Sequence, residues 1–361
     1  MRVSKQLLSL CILVQLVTSG NPTRKQREAC PTQSSTTSPP GKGLEFYTEV
    51  LNPWDPPKMI GFDHFDWDSY FNGLLMAGVS NFMLYGYMLQ ESMIETWAEQ
   101  FEDWDKTRFM SLKERVKAKG GRIVAHLSWR LHIDPFKDFN RETFLSSARR
   151  FLEVYPVDGF WMLYDRFDED QLLTMKELGK VFKELGVIFI TKSYYYEWHR
   201  ALQTGIPQLA DLNVVTLEPR LDDEVPNAER GLFLTDAIAE KAIKNATESG
   251  VQTDKLILEI FALAKTYDKS DDPRGSSIAG YHEAITKFGA DPDGDGTVFG
   301  PDGRLYYFYS PARAIGKVRL AKRYDLHGVA LSDLHADVIR MTHDLDSSDS
   351  RASSVPLVNQ V

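Results

Sequence analysis

Three carboxylates stand on runs that are otherwise apolar: Asp165 closes "VDGFWMLYD", Glu218 follows "DLNVVTL", and Glu259 interrupts "KLILEIFAL". A charge on such a strand is expensive unless it is paired or put to use. Two carboxyl groups facing one another can act as acid and nucleophile, or as acid and base, and their separation then sets the stereochemical outcome. Asp165 is the candidate acid, with Glu218 or Glu259 as its partner. The competing account of Glu259 is a structural ion network with Lys192 or Arg130.

A second acidic pattern, "DPDGDGTVFGPD", places Asp291, Asp293, Asp295 and Gly296 in the D-x-D-x-D-G order of a calcium loop. Its twelfth position is Asp302 rather than a longer Glu, and "GRLYYFYS" after it reads as a strand. An acidic hairpin turn is therefore the competing account. Calcium is the one cofactor the sequence suggests, and none other is expected. His335 and His343, in "HADVIRMTHD", have no tight metal spacing and read as part of a solvated helix.

Positioning these acids requires a repeated scaffold. Eight short β-rich runs recur at 59–65, 80–88, 121–129, 157–165, 186–194, 211–219, 255–263 and 327–334. Between them lie helical patterns such as "DQLLTMKELGKVFKELG", with Leu172, Leu173, Met175, Leu178, Val181 and Phe182 near helical spacing and a stop at Gly186. Strand and helix alternating eight times predict an α/β fold, a (β/α)8 TIM barrel with its functional groups at the C-terminal ends of the strands. The more than sixty residues between the seventh and eighth runs exceed one crossover, so a small α+β insertion is expected there, at about 268–310.

The 361 residues also carry terminal segments. Residues 1–20 have basic Arg2 and Lys5, an apolar run from Leu7 to Val17 and small residues to Gly20, the pattern of a secretory signal peptide. Residues 21–44 form a Ser/Thr/Pro-rich linker, 45–341 the barrel, and 342–361 a polar tail. The expected location is extracellular, with no membrane span. Removing the signal takes Cys11 and leaves only Cys30, free or paired with another chain. Asn245 heads a glycosylation sequon. The net charge of −9 and the lack of a Lys/Arg stripe interleaved with aromatics argue against a nucleic-acid partner.

Several stretches, taken in order, resemble glycoside hydrolase family 18, the chitinases and chitinase-like proteins. That family's fourth strand carries D-G-x-x-D-x-D-x-E after a Tyr-Pro turn, and "YPVDGF" supplies the turn with Asp158 and Gly159. "KLILEIFALAK" follows its seventh strand, "SIAGYHEAI" its insertion, and "YYFYSPARAIGKVRLAKRYDLHGVALSDLHAD" its last helix and strand. The resemblance runs from the first strand run to about residue 340. It implies hydrolysis in which the substrate's N-acetyl group is the nucleophile, the last Glu of the motif protonates the leaving oxygen, and the Asp two residues before it steadies the developing cation.

The motif is degenerate here. Its three inward acids fall on Trp161, Leu163 and Asp165. Leu163 cannot stabilise a cation, and Asp165 is one methylene shorter than Glu, a shortfall of ~1.5 Å, where ~1 Å already costs on the order of 100-fold. Elsewhere the acetamido-binding Tyr of the family is Leu217, the neighbouring Asp is Glu218, the floor Trp is Ser332, and "SWRL" replaces both glycines of the third strand. An alternative register through Asp165, Asp168 and Asp170 ends in Leu172 and runs into a helix start. The expectation is a chitinase-like pseudoenzyme that binds an N-acetylglucosamine-type oligosaccharide or chitin-like glycan. Asp63, Arg130, Arg220 and Asp222 are candidates to bond hydroxyls, and Phe62, Phe65, Trp129, Tyr194, Tyr195, Tyr196 and Trp198 to stack on sugar faces. The alternatives are a glycoside hydrolase of altered mechanism using Asp165, and a barrel that serves a protein partner, with Trp161 plugging the pocket.

Overall fold

A computed structural model describes residues 43–50, 67–96, 106–128, 136–218, 229–266 and 278–332. The expected signal, the expected linker up to residue 42, the tail, Cys30, the 59–65 run, and the candidates Asp63, Trp129, Arg130, Arg220 and Asp222 lie outside the described residues.

In chain order the elements are β1 (Glu45–Val50), α1 (Trp67–Met76), β2 (Asn81–Gln90), β3 (Met93–Thr96), α2 (Lys106–Ala118), β4 (Ile123–Ser128), α3 (Arg141–Val154), β5 (Gly159–Leu163), α4 (Glu169–Leu185) and β6 (Ile188–Tyr194). There follow α5 (Trp198–Gln203), α6 (Ile206–Leu209), β7 (Leu212–Leu217), α7 (Asp236–Glu248), β8 (Leu256–Phe261), β9 (Leu263–Thr266), β10 (Ile278–Gly280), α8 (Tyr281–Thr286), β11 (Thr297–Phe299), β12 (Leu305–Tyr307), α9 (Pro311–Arg323) and β13 (Gly328–Ser332).

Eight parallel strands close on themselves in the order β1, β2, β4, β5, β6, β7, β8, β13, with β1 bonded to both β2 and β13. This is the (β/α)8 barrel. The first strand is Glu45–Val50, ahead of the 59–65 run expected from sequence, because its inward positions Glu45, Tyr47 and Glu49 are polar and mask its strand pattern. The helices shield the outer face of the sheet, and alternation sends every second residue inward. One residue from each strand fills the barrel's waist: Tyr47, Met83, Val124, Trp161, Ile190, Val214, Ile257 and Ala330.

Local chemistry sets the frame around the fourth strand of the barrel, β5. Asp168 caps α4, its carboxylate accepting the Gln171 N–H at 2.8 Å, and Gly186 ends that helix in a left-handed conformation. The register through Asp168 and Asp170 thereby fails, since both belong to the start of the helix. Leu173, expected on its apolar face, is solvent-exposed. At the opposite end of β5, Asp158 accepts the Ile123 N–H at 2.7 Å and pairs with Lys113 at 2.5 Å. Gly159 follows because any Cβ there would sit 2.5 Å from the Ile188 carbonyl. The Asp-Gly pair is therefore a staple at the floor of the barrel.

The insertion after β8 is a four-stranded antiparallel sheet, β10-β9-β12-β11, carrying α8. It begins at Leu263, directly after β8, earlier than the expected boundary. Asn245 lies half-buried on α7. Among the described residues no helix is long and apolar enough to cross a membrane.

Candidate functional site

Above the waist the barrel lining turns polar. Lys192 on β6, 6% exposed, reaches Glu49 on β1 at 2.5 Å and Glu259 on β8 at 2.6 Å. Burial opposes its charge, but Glu259 and Glu49 outweigh that and hold its pKa well above the ordinary lysine value. The ion-network account of Glu259 is thus the one the geometry supports, with Lys192 as the partner. The Tyr85 hydroxyl donates to Glu49 at 3.1 Å. Tyr85 sits where β2 and β4 slip register between Leu84 and Tyr87, beside Gly86 with φ of 97°.

Trp161 lies beneath this network, 1% exposed. Its ring stacks on His126 with centroids 3.9 Å apart, meets Tyr85 edge-on at 5.1 Å, and carries the Lys192 ammonium 5.3 Å from its centroid. Burial, with Lys192 nearby, pushes the His126 pKa well below the ordinary histidine value, so the ring is neutral.

Several polar atoms in this layer have no hydrogen-bond partner: both ring nitrogens of His126, Trp161 Nε1, Thr216 Oγ1, and Glu259 Oε1. The Lys192 ammonium lies 2.6 Å from Glu259 Oε2, so the open atom of that carboxylate is Oε1. Buried groups of this kind are normally satisfied, so their clustering needs an account.

Nearer the mouth stand Leu163, Asp165, Tyr194, Glu218 and Ser332. Asp165 is half-buried with its Oδ1 unpartnered, and burial raises its pKa against the pull of the Gln171 amide and Arg166. Glu218 pairs with Lys265 of β9, which ties the insertion to the mouth. The Lys265 ammonium also lies 4.2 Å from the Phe261 ring centroid. Tyr194 stacks on Tyr196, centroids 5.2 Å apart and planes within 7°. Burial, then Glu218, raises the Tyr194 phenol's pKa; Lys192 opposes this, while Asp165 and Glu259 add to it. Ser332 is buried above Ala330 and bonds the Ile260 carbonyl at 3.4 Å.

Two expected pocket residues face elsewhere. Leu217 turns into the outer core, because alternation along β7 puts Leu212, Val214 and Thr216 inside; Thr216 takes the inward place the sequence alignment gave to Leu217. Trp198 is buried in the helix layer, its indole donating to the Ala242 carbonyl at 3.1 Å. In the rim loop, Asp291 accepts the Asp293 N–H at 2.9 Å and Asp295 the Thr297 N–H at 3.0 Å, the bonding of turns that start a hairpin. Among the described residues no group of three or more His, Cys, Asp or Glu could hold a metal ion.

Sequence reasoning missed Glu49, Tyr85, His126 and Thr216 as site residues. A polar residue inside an apolar strand, as in "IVAHLS", was the available signal for His126.

Comparison with solved structures places this architecture. The fold is that of the chitinases. An immunomodulatory active chitinase from Trichuris suis matches with a TM-score of 0.56 at 13% identity over 80% of this chain and 91% of its own. An Ostrinia furnacalis Group IV chitinase gives 0.59 at 14% over 80% and 93%. The Bacillus megaterium spore cortex-lytic enzyme SleL gives 0.59 at 10% over 85% and 75%. No family model and no curated protein matches the chain. At these identities the likeness establishes the fold, and function must be argued from the site.

Proposed function

We propose that this chain is a secreted, non-hydrolytic chitinase-type barrel that binds a chitin-like glycan at the C-terminal mouth of the strands. The observation that carries the reading is the composition of β5 and its extension. Of the three inward positions, Trp161 is wedged against His126 and Leu163 is apolar. Only Asp165 keeps a carboxyl group. The two other carboxylates at hand, Glu218 and Glu259, are each engaged by a lysine, which makes them poor nucleophiles or bases. What is left suits binding: polar atoms with open valences below, and the stacked Tyr194 and Tyr196 at the rim.

The test is hydrolysis of a fluorogenic chito-oligosaccharide alongside calorimetric binding of an unlabelled one. Binding without turnover is expected. A second reading, a weak hydrolase, draws on the raised pKa of Asp165, the direction a general acid requires. Turnover that vanishes in Asp165→Ala would establish that reading instead.

A further inference from the structure

The barrel has a recess at the end opposite its mouth. It holds about 550 Å³ and lies on the floor, where β4, β6, β7 and β13 begin. Small-molecule sites occupy roughly 300–1,000 Å³, so its size suits a compact ligand. Part of its lining is apolar: Val187, Ile188, Leu209 and Leu212. Leu212 is buried, whereas Leu209, the last residue of α6, is 62% exposed and offers apolar area for a ligand to cover. Gly186, at the left-handed end of α4, has open space where a Cβ would stand, so no side chain obstructs the recess there.

The polar lining divides into groups already bonded and groups left open. His327 is engaged at both nitrogens, Nε2 with the Tyr47 hydroxyl at 2.9 Å and Nδ1 with the Asp254 carbonyl at 3.1 Å. Arg122 bonds through Nη1 alone, to Glu45 and at 3.5 Å to the Tyr47 hydroxyl, so the N–H groups on Nε and Nη2 have no acceptor among the described residues. Lys183, exposed in the last turn of α4, makes no side-chain bond or ion pair among the described residues. Asp211 gives one carboxylate oxygen to the Phe189 N–H at 2.9 Å, the kind of strand-joining bond that Asp158 makes to Ile123, and keeps the other open. Open donors therefore outnumber open acceptors. Glu45 already balances the Arg122 charge, so an acid is drawn by these free N–H groups and by the Lys183 ammonium rather than by a net charge. The Phe182 and Lys183 carbonyls at the end of α4, which would repel an acid, are taken by the Val187 and Gly186 N–H groups.

We propose that the floor recess is a second binding site, for a small amphipathic carboxylate. Its acyl or aryl body lies on Val187, Ile188, Leu209 and Leu212, and its carboxylate accepts charge-assisted bonds from Lys183 and the open edge of Arg122. An alcohol with the same body lacks the charge that strengthens those bonds, and an amine meets two cations and a single open oxygen. The proposal stands apart from the glycan reading, since no residue of the mouth lines this recess.

The experiment is calorimetric titration of the full chain at neutral pH with octanoate, octanol and octylammonium, which share one apolar body. Octanoate is expected to bind about tenfold tighter than either of the others. Lys183→Gln should weaken octanoate about tenfold and leave octanol unchanged, whereas Leu209→Ser should weaken both. Both positions are exposed, so the variants should keep the native unfolding midpoint. Binding of a chito-oligosaccharide, measured in the same variants, should match that of the native chain. No binding of octanoate overturns the proposal, and so does octanol or octylammonium binding as tightly as octanoate. Octanoate binding that neither variant alters overturns it as well, because the ligand would then sit elsewhere on the chain.

Discussion

The floor and the mouth of this barrel handle polar groups in opposite ways. At the floor, Arg122 pairs with Glu45, the Tyr47 hydroxyl contacts Glu45 and His327, and Asp158 joins Ile123 to Lys113. Asn81 bonds the Phe46 carbonyl and accepts the Arg122 N–H. From the waist up to the mouth, Trp161, His126, Thr216, Glu259 and Asp165 keep unpartnered atoms. The same fold thus spends its polar residues on cohesion at one end and holds them open at the other. This division matches the rule that the C-terminal face of such barrels is the functional one.

The comparison can be broken most sharply at Lys192. Replacing it in Lys192→Met leaves Glu49 and Glu259 together inside the barrel without their cation. Chemical denaturation at neutral pH should register a loss of about 3–5 kcal/mol, and a loss below about 1 kcal/mol would show the network to be dispensable. At the floor, Asp158→Ala strips the acceptor from the Ile123 N–H and orphans Lys113, with an expected loss of about 2 kcal/mol and no change in glycan binding. If binding fell in step with stability, the two ends would not be separable.

A smaller, pH-dependent effect distinguishes the ends by titration. His126 has its folded-state pKa depressed by burial, so its contribution is fully present above the ordinary histidine value of 6.5 and is lost as pH falls below that value. Unfolding midpoints of the native chain should drop through that window more steeply than those of His126→Phe. Parallel profiles would show that the ring is hydrated. The smallest effect is expected at Asp165, whose pKa burial raises: the folded state is favoured at low pH and loses ground as pH rises through the folded value. Asp165→Asn should therefore gain under about 1 kcal/mol at neutral pH. A loss of stability there would mean that the carboxylate is bonded in solution.

Much of the barrel could be read from sequence because β-rich apolar runs and helical stretches alternate in it. The runs near Asn81, Ile123, Gly159, Ile188, Leu212, Leu256 and Gly328 each became a staple strand of the barrel. The first strand was hidden because three charged or hydroxylated side chains occupy its inward face: Glu45 and Tyr47 serve the floor and Glu49 the Lys192 network. Glu259 paired with Lys192 was legible from the cost of a lone charge in an apolar strand. Leu217 was misplaced because it was aligned by motif position, whereas the strict two-residue period of β7 decides the facing. Glu49, Tyr85 and His126 could not be grouped from sequence, since strands far apart in the chain converge only when the sheet closes.

Trp161 has one more consequence. An indole sandwiched against a neutral imidazole and lying under a fixed ammonium is an optical gauge set in the middle of the barrel. Any ligand that shifts Lys192, or protonation that charges His126, alters the electric field across that ring. Its emission will therefore change colour with either event, and the buried indole becomes a built-in reporter on the charge state of the layer around it.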